Sequence, residues 1–299
     1  PLEAYMKGEI RPIDGITELK KSIVNLGYKH SIWQVFEDFV ILSACSVSNA
    51  VDFLHREERE KVYLDTIKKY TKKEAEEFPK MFALLVEALE QELSVRGPSD
   101  VLGRLYHDLE LHNKWRGQFF TPQSIADMMA EMSISDHDAD IKQRGYITVC
   151  EPCCGSGVMI LGMAKALLKI HYSPSQSLVV TAADLDLKCA CMAYIQLSLY
   201  GIPAVIEHAD TLTCKVFSRW YTPVYILDGW LFRQHCGITD QDGLAEDEKL
   251  KCGLEPFYTA FRFLDNLKQE KKEPPPVSSP AVADSIKVSE TQSGQLSLF

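Results

Sequence analysis

Apolar positions recur at helical spacing through the first hundred residues and then change rhythm. From Trp33, the residues Phe36, Val40, Ala44, Val47, Val51 and Leu54 follow at three- and four-residue steps, and Phe78, Phe82, Leu85, Leu89 and Leu93 repeat the pattern. Each spacing lays one apolar stripe along a helix. Charge-rich sequence from 56 to 77 separates the two stripes. Ser99 stands as an N-cap before a third helix carrying Leu102, Leu105 and Leu109. Stripes of this kind predict bundle core, not chemistry.

After His112 short strand-like runs alternate with helical ones. The runs are 146–150, 178–183, 204–207 and, less regular, 224–227; helices over 158–169 and 187–200 separate the first three. Strand, helix, strand, helix, strand predicts an α/β fold with a parallel, doubly wound sheet. From about residue 271, Pro274, Pro275, Pro276 and Pro280 lie among Ser, Lys, Glu and Gln, which cannot pack a core and reads as a disordered tail. The chain therefore divides into a helical domain at 1–112, an α/β domain at 113–270 and a tail at 271–299.

Composition adds three limits. Hydrophobic residues at 46% and charged residues at 25% are ordinary for a soluble globular protein. The most apolar stretch, 35–47, is interrupted by Glu37 and Asp38, so no membrane span is expected and the chain reads as cytoplasmic. The nine cysteines lack the paired spacing of a zinc site and read as reduced, mostly buried thiols, with no metal expected. A net charge of -10 is unusual for a protein that holds DNA alone, and points to contact that is weak, local or shared with a partner.

The strongest motif is Glu151-Pro152-Cys153-Cys154-Gly155-Ser156-Gly157, at the end of one predicted strand and the start of a helix. Gly155 and Gly157 allow a tight turn and a close ligand approach. The turn sits at a strand's carboxyl end, where open α/β sheets bind ligands. A dinucleotide fingerprint requires a third glycine, and that position is Ile160. Glu151 has the chemistry to accept from an ammonium group. Asp184, ending the second strand, can take both hydroxyls of a ribose, and Asp210, ending the third, can accept from an adenine amino group.

The motif at 151–157 is similar to [DE]-P-x-x-G-[ST]-G of the adenine-N6 DNA methyltransferases. Gly117-Gln118-Phe119-Phe120-Thr121-Pro122 resembles the motif that precedes it in the modification subunits of type I restriction systems. The resemblance spans roughly 30–228. It implies a Rossmann-like S-adenosylmethionine-dependent methyltransferase sheet behind an all-helical domain, DNA as substrate and a specificity subunit as partner. It assigns S-adenosylmethionine to Glu151, Gly155, Gly157, Asp184 and Asp210, with Phe119, Thr121 and Pro122 closing over the methionine end.

The family holds the flipped target base with [NDS]-P-P-[YFW] after the fourth strand, because adenine inside a duplex cannot reach the methyl group. This chain has no such tetrapeptide. The nearest stretch is Thr222-Pro223-Val224-Tyr225, where Thr222 and Pro223 would accept from the amino group and Tyr225 would stack on the base. Three readings compete: an adenine-N6 DNA methyltransferase with a variant catalytic motif, a non-catalytic descendant that serves as an interaction module, and a methyltransferase acting on RNA or protein. The first predicts that Tyr225→Ala abolishes methyl transfer.

Gln295-Leu296-Ser297-Leu298-Phe299 resembles the Q-L-[SD]-L-F peptide that docks on the bacterial DNA polymerase sliding clamp. Leu298 and Phe299 would enter an apolar pocket, while Gln295 makes directed hydrogen bonds and Leu296 packs alongside. A synthetic 290–299 peptide is expected to bind clamp at roughly tens of micromolar by calorimetry. Changing Leu298 and Phe299 to Ala should remove that binding, and an inert parent peptide would rule the resemblance out.

Overall fold

The computed structural model describes residues 14–111, 121–134 and 138–236, all within one compact unit formed by residues 1–239. Its first helices are α1 (Gly15–His30), α2 (Ile32–Asn49), α3 (Arg56–Ile67), α4 (Lys72–Ala75), α5 (Glu77–Arg96) and α6 (Val101–Asp108). Both predicted stripes are helices, but the first stops at Asn49, leaving Leu54 half exposed. The chain turns there around the buried carboxylate of Asp52, which accepts from Arg59 at 2.7 Å and from His55 at 2.9 Å. The charge-rich separator folds as α3 and α4, since Glu, Lys and Arg are good helix formers whether or not they make a stripe. The third helix is capped by Asp100 and not Ser99: Asp100 Oδ1 accepts from the amide of Gly103 at 2.7 Å.

The α/β part follows as α7 (Gln123–Ile134), α8 (Asp138–Arg144), β1 (Ile147–Glu151), α9 (Val158–Lys169), α10 (Pro174–Ser177), β2 (Leu178–Asp184), α11 (Leu187–Leu199), β3 (Ala204–Asp210), β4 (Lys215–Tyr221), α12 (Pro223–Leu227) and α13 (Trp230–Cys236). The sheet order is β1-β2-β3-β4; β1–β2 and β2–β3 are parallel. β4 runs antiparallel to β3, with a bulge at His208/Ala209. The strand expected at 224–227 is instead α12. Pro223 cannot donate into a sheet and its fixed φ suits the first helical position. β4 escaped the pattern because most of its residues are exposed at the sheet edge, which blurs alternation.

Residues of α2, α5 and α6 share one apolar core with α9, α11 and the inner face of the sheet. The other face carries a small cluster of Val179, Tyr225 and Trp230 under α12 and α13. Among the described residues, no helix is long and apolar enough to cross a membrane.

Arg59 ties α3 to the sheet edge. It donates to Ser48 Oγ, to Asp52 and, at 2.5 Å, to the carbonyl of Arg219 on β4, and its guanidinium lies 4.4 Å from the Trp220 ring centroid. Removing one partner of a buried ion pair strands the other charge. Arg59→Ala is therefore expected to cost about 3–5 kcal/mol in urea unfolding. A loss under about 1 kcal/mol, the scale of an exposed ion pair, would show that His55 or water compensates the Asp52 carboxylate.

Candidate cofactor site

The carboxyl ends of β1, β2 and β3 lie side by side, because strands paired in parallel register end together. That places Glu151, Asp184 and Asp210 along one rim. Between the first two runs the glycine turn. Gly155 has φ 54° and Gly157 φ 94°, left-handed values that a side chain disfavours. Gly157 caps α9 in this conformation, and a Cβ there would sit 3.4 Å from that of Ala193 on α11.

Asp184 holds the turn from the second strand. Its Oδ2 accepts from the Gly155 amide at 2.8 Å and its Oδ1 from the Asp186 amide at 2.9 Å, while the Cys154 amide donates to the carbonyl of Ala183 at 2.8 Å. Burial raises the Asp184 carboxyl above the ordinary aspartate value, and the hydrogen bonds from Asp186 and Gly155 oppose that rise. Each oxygen keeps a further lone pair for a ligand hydroxyl. Glu151 is half-buried and accepts from the Cys153 amide at 3.3 Å.

Asp210 lies in a different environment. Its carboxylate closes the β3–β4 turn, accepting at Oδ1 from the amides of Leu212 at 3.1 Å and Thr213 at 3.3 Å. Hydrogen bonds from the Thr213 side chain and backbone hold it below the ordinary carboxylate range. Thr211 Oγ1 donates to the carbonyl of Pro152 at 2.8 Å, which ties this turn to the glycine turn. The structure thus brings Glu151, Gly155, Gly157, Asp184 and Asp210 onto one rim.

Sequence reasoning missed the apolar part of that rim. Leu185 and Leu212 are 63% and 97% exposed, directly after the β2 acid and two residues after the β3 acid. His208 reaches the carbonyl of Leu185 at 3.2 Å and lies 4.8 Å from the Phe217 ring, centroid to centroid. A leucine next to a strand-end acid was a visible signal, but only the fold shows that it is exposed.

Thr121 is half-buried and Pro122 exposed, just before α7; Phe119 lies outside the described residues, as do Gln295, Leu296, Leu298 and Phe299. Gln123, the first residue of α7, accepts from the Asp100 amide at 2.9 Å. Thr222, Pro223 and Tyr225 are not brought to the rim. Thr222 is fully buried; its Oγ1 donates to the carbonyl of Ile202 at 2.8 Å and accepts from the amide of Ala204 at 2.9 Å. Ala204 begins β3 and Asp210 ends it, a separation of roughly 20 Å at about 3.3 Å per residue. Tyr225 is buried among Val179 and Trp230, its phenol pushed up to about 12 by burial.

Cys154 and Cys189 are buried beside Asp184, and burial first, then that carboxylate, keeps their thiols protonated. Cys150, Cys153 and Cys214 are exposed. Among the described residues, no three or more His, Cys, Asp or Glu side chains converge as metal ligands.

No curated protein matches the chain. A solved structure of the type I restriction-modification system methyltransferase subunit from Streptococcus thermophilus aligns at 19% identity and a TM-score of 0.34. The alignment covers 66% of this chain and 39% of that one, so the chain spans about two fifths of that subunit's length. The sequence pattern of the family described as N-6 DNA Methylase matches residues 98–256, more than half of the chain. This match takes in the Asp100 cap, the Thr121-Pro122 step, the glycine turn and all three strand-end acids, and the chain belongs to the N-6 DNA methylase family.

Proposed function

We propose that this chain binds S-adenosylmethionine on the rim and serves as an adenine-N6 DNA methyltransferase of the type I modification-subunit kind. The observation that carries this reading is the set of three carboxylates at successive strand ends around a left-handed glycine turn. The residues fit the cofactor. Asp184, with both oxygens fixed by backbone amides, would accept from the two ribose hydroxyls. Glu151 would take the ammonium group and Asp210 the adenine amino group, with Leu185 and Leu212 offering apolar faces to the ring. Thr121 and Pro122, with Phe119, would close over the methionine end. A ligand carrying both an ammonium and a sulfonium suits a rim of carboxylates. When bound, it supplies an activated methyl group for in-line transfer to an amine.

Thr222 is bonded at the amino-terminal end of β3 and Tyr225 is buried with Val179 and Trp230, so base handling would fall to other residues or to a partner subunit. Family membership favours the enzymatic reading over the non-catalytic one. A specificity subunit would supply DNA recognition, and the 295–299 peptide would tether the chain to a sliding clamp. Tethering raises the local DNA concentration without a basic surface.

Titration of the chain with S-adenosylmethionine by calorimetry is expected to show micromolar binding that Asp184→Ala abolishes. Labelled methyl groups should then transfer to adenine in duplex DNA when the specificity partner is present. Affinity should be full at neutral pH and fall on acidification through a carboxyl pKa above that of ordinary aspartate. Because that pKa is raised in the fold, ionised Asp184 lowers stability at neutral pH, and its protonation does not unfold the chain. Loss of binding in acid should therefore precede loss of structure. No binding by the parent chain would overturn the reading.

A further inference from the structure

Asp100, Ser156 and Gln196 come from three distant parts of the sequence and meet with almost no solvent exposure, at 5%, 0% and 0%. Asp100 caps α6, and its second oxygen, Oδ2, accepts from Ser156 Oγ at 2.5 Å. Ser156 lies between Gly155 and Gly157. Gln196 Nε2 donates to Asp100 Oδ1 at 2.9 Å and to the carbonyl of Ser156 at 2.8 Å. Its Oε1 accepts from the amides of Val101 at 2.8 Å and Leu102 at 3.0 Å. The Asp100 amide donates to Gln123, which starts the helix after Thr121-Pro122. Gln123 in turn donates to Asp127 at 2.7 Å, and Asp127 pairs with Lys165 of α9 at 2.5 Å. At Gly103 a Cβ would fall 2.0 Å from Asp100 Oδ2 and 2.7 Å from Ser156 Oγ, so no other residue fits beneath this cluster.

We infer that Asp100 and Gln196 are positioning residues for the cofactor. Their side chains hold the glycine turn through Ser156, and the main-chain amide of Asp100 ties the cluster to the Thr121-Pro122 step through Gln123. Gly155 and Gly157 bring no side chains to hold the turn, whereas the Ser156 hydroxyl between them is anchored in the buried cluster. Through that anchor the helical segment fixes where Gly155 presents its amide to Asp184. The cofactor half of this inference rests on the proposed function, whereas the fixing of the turn does not.

The test uses the full chain and compares Ser156→Ala, Asp100→Ala, Asp100→Asn and, as a control for stability alone, Leu85→Ala in the core of α5. Three quantities are read: S-adenosylmethionine affinity, melting temperature, and amide exchange across 153–158 without cofactor. Ser156→Ala and Asp100→Ala are expected to weaken the cofactor at least about tenfold, the scale of a hydrogen bond to a charged group. Exchange at Gly155 and Gly157 should quicken by about as much. Asp100→Asn should recover most of the affinity, because a carboxamide oxygen still accepts from Gly103 and Gln196 while its NH2 donates to Ser156. Leu85→Ala should lower the melting temperature and change neither affinity nor exchange in that segment. Should Asp100→Ala fail to fold, Ser156→Ala decides alone. If Ser156→Ala left affinity within about twofold and exchange unchanged, while Asp184→Ala abolished binding, positioning by this cluster would be overturned and the proposed function kept. A parent chain that does not bind would overturn the proposed function, and the exchange measurement would then decide the positioning role without it.

Discussion

The side-chain amide of Gln196 has no contact with water, and all four of its hydrogen-bonding positions are filled: two acceptor bonds from the start of α6, one donor bond to Asp100 and one to the glycine turn. A buried polar group left unpaired costs about 1–3 kcal/mol. The start of α6, the turn after β1 and the last turn of α11 therefore cannot shift independently. The exposed amides at a helix start usually find a local cap or water. Here α6 is capped partly from α11, nearly a hundred residues away in sequence, and this fastens the helical segment onto the sheet.

What this fastening supports is the rim. Three carboxylates of the same residue class acquire different properties from their surroundings. Asp184 is half-buried and raised, yet gripped by two amides that keep it oriented. Asp210 is half-buried too, but is lowered by the turn it closes. Glu151 is half-buried and bonded to its own turn. The surroundings of Asp184 and Asp210, and not their residue type, set the opposite directions of these shifts.

The far end of the sheet serves stability. Arg59 joins α3 to β4 through the carbonyl of Arg219 and the face of Trp220, and Thr222 pins the start of β3. Tyr225 fills the small second core with Trp230. A sequence stretch that resembles a base-binding motif thus lies where the fold needs buried anchors, with the length of a strand between it and the rim.

Much was legible in the sequence because local chemistry dictated it. The stripes fixed α2 and α5, the glycine pair fixed the turn, and acids at the ends of apolar runs marked Asp184 and Asp210 as neighbours on the rim. The sequence did not yield β4, whose exposed edge position weakens alternation, or α12, which looks like a strand until Pro223 is weighed. It also could not tell Ser99 from Asp100 as the cap, since either side chain serves locally and only Ser156 and Gln196 select Asp100. Which end of the sheet receives Thr222 depends on β4 running antiparallel to β3, a choice made by pairing between strands and invisible to any local pattern. Local sequence marked which residues end strands and shape turns, and tertiary packing decided which of them meet.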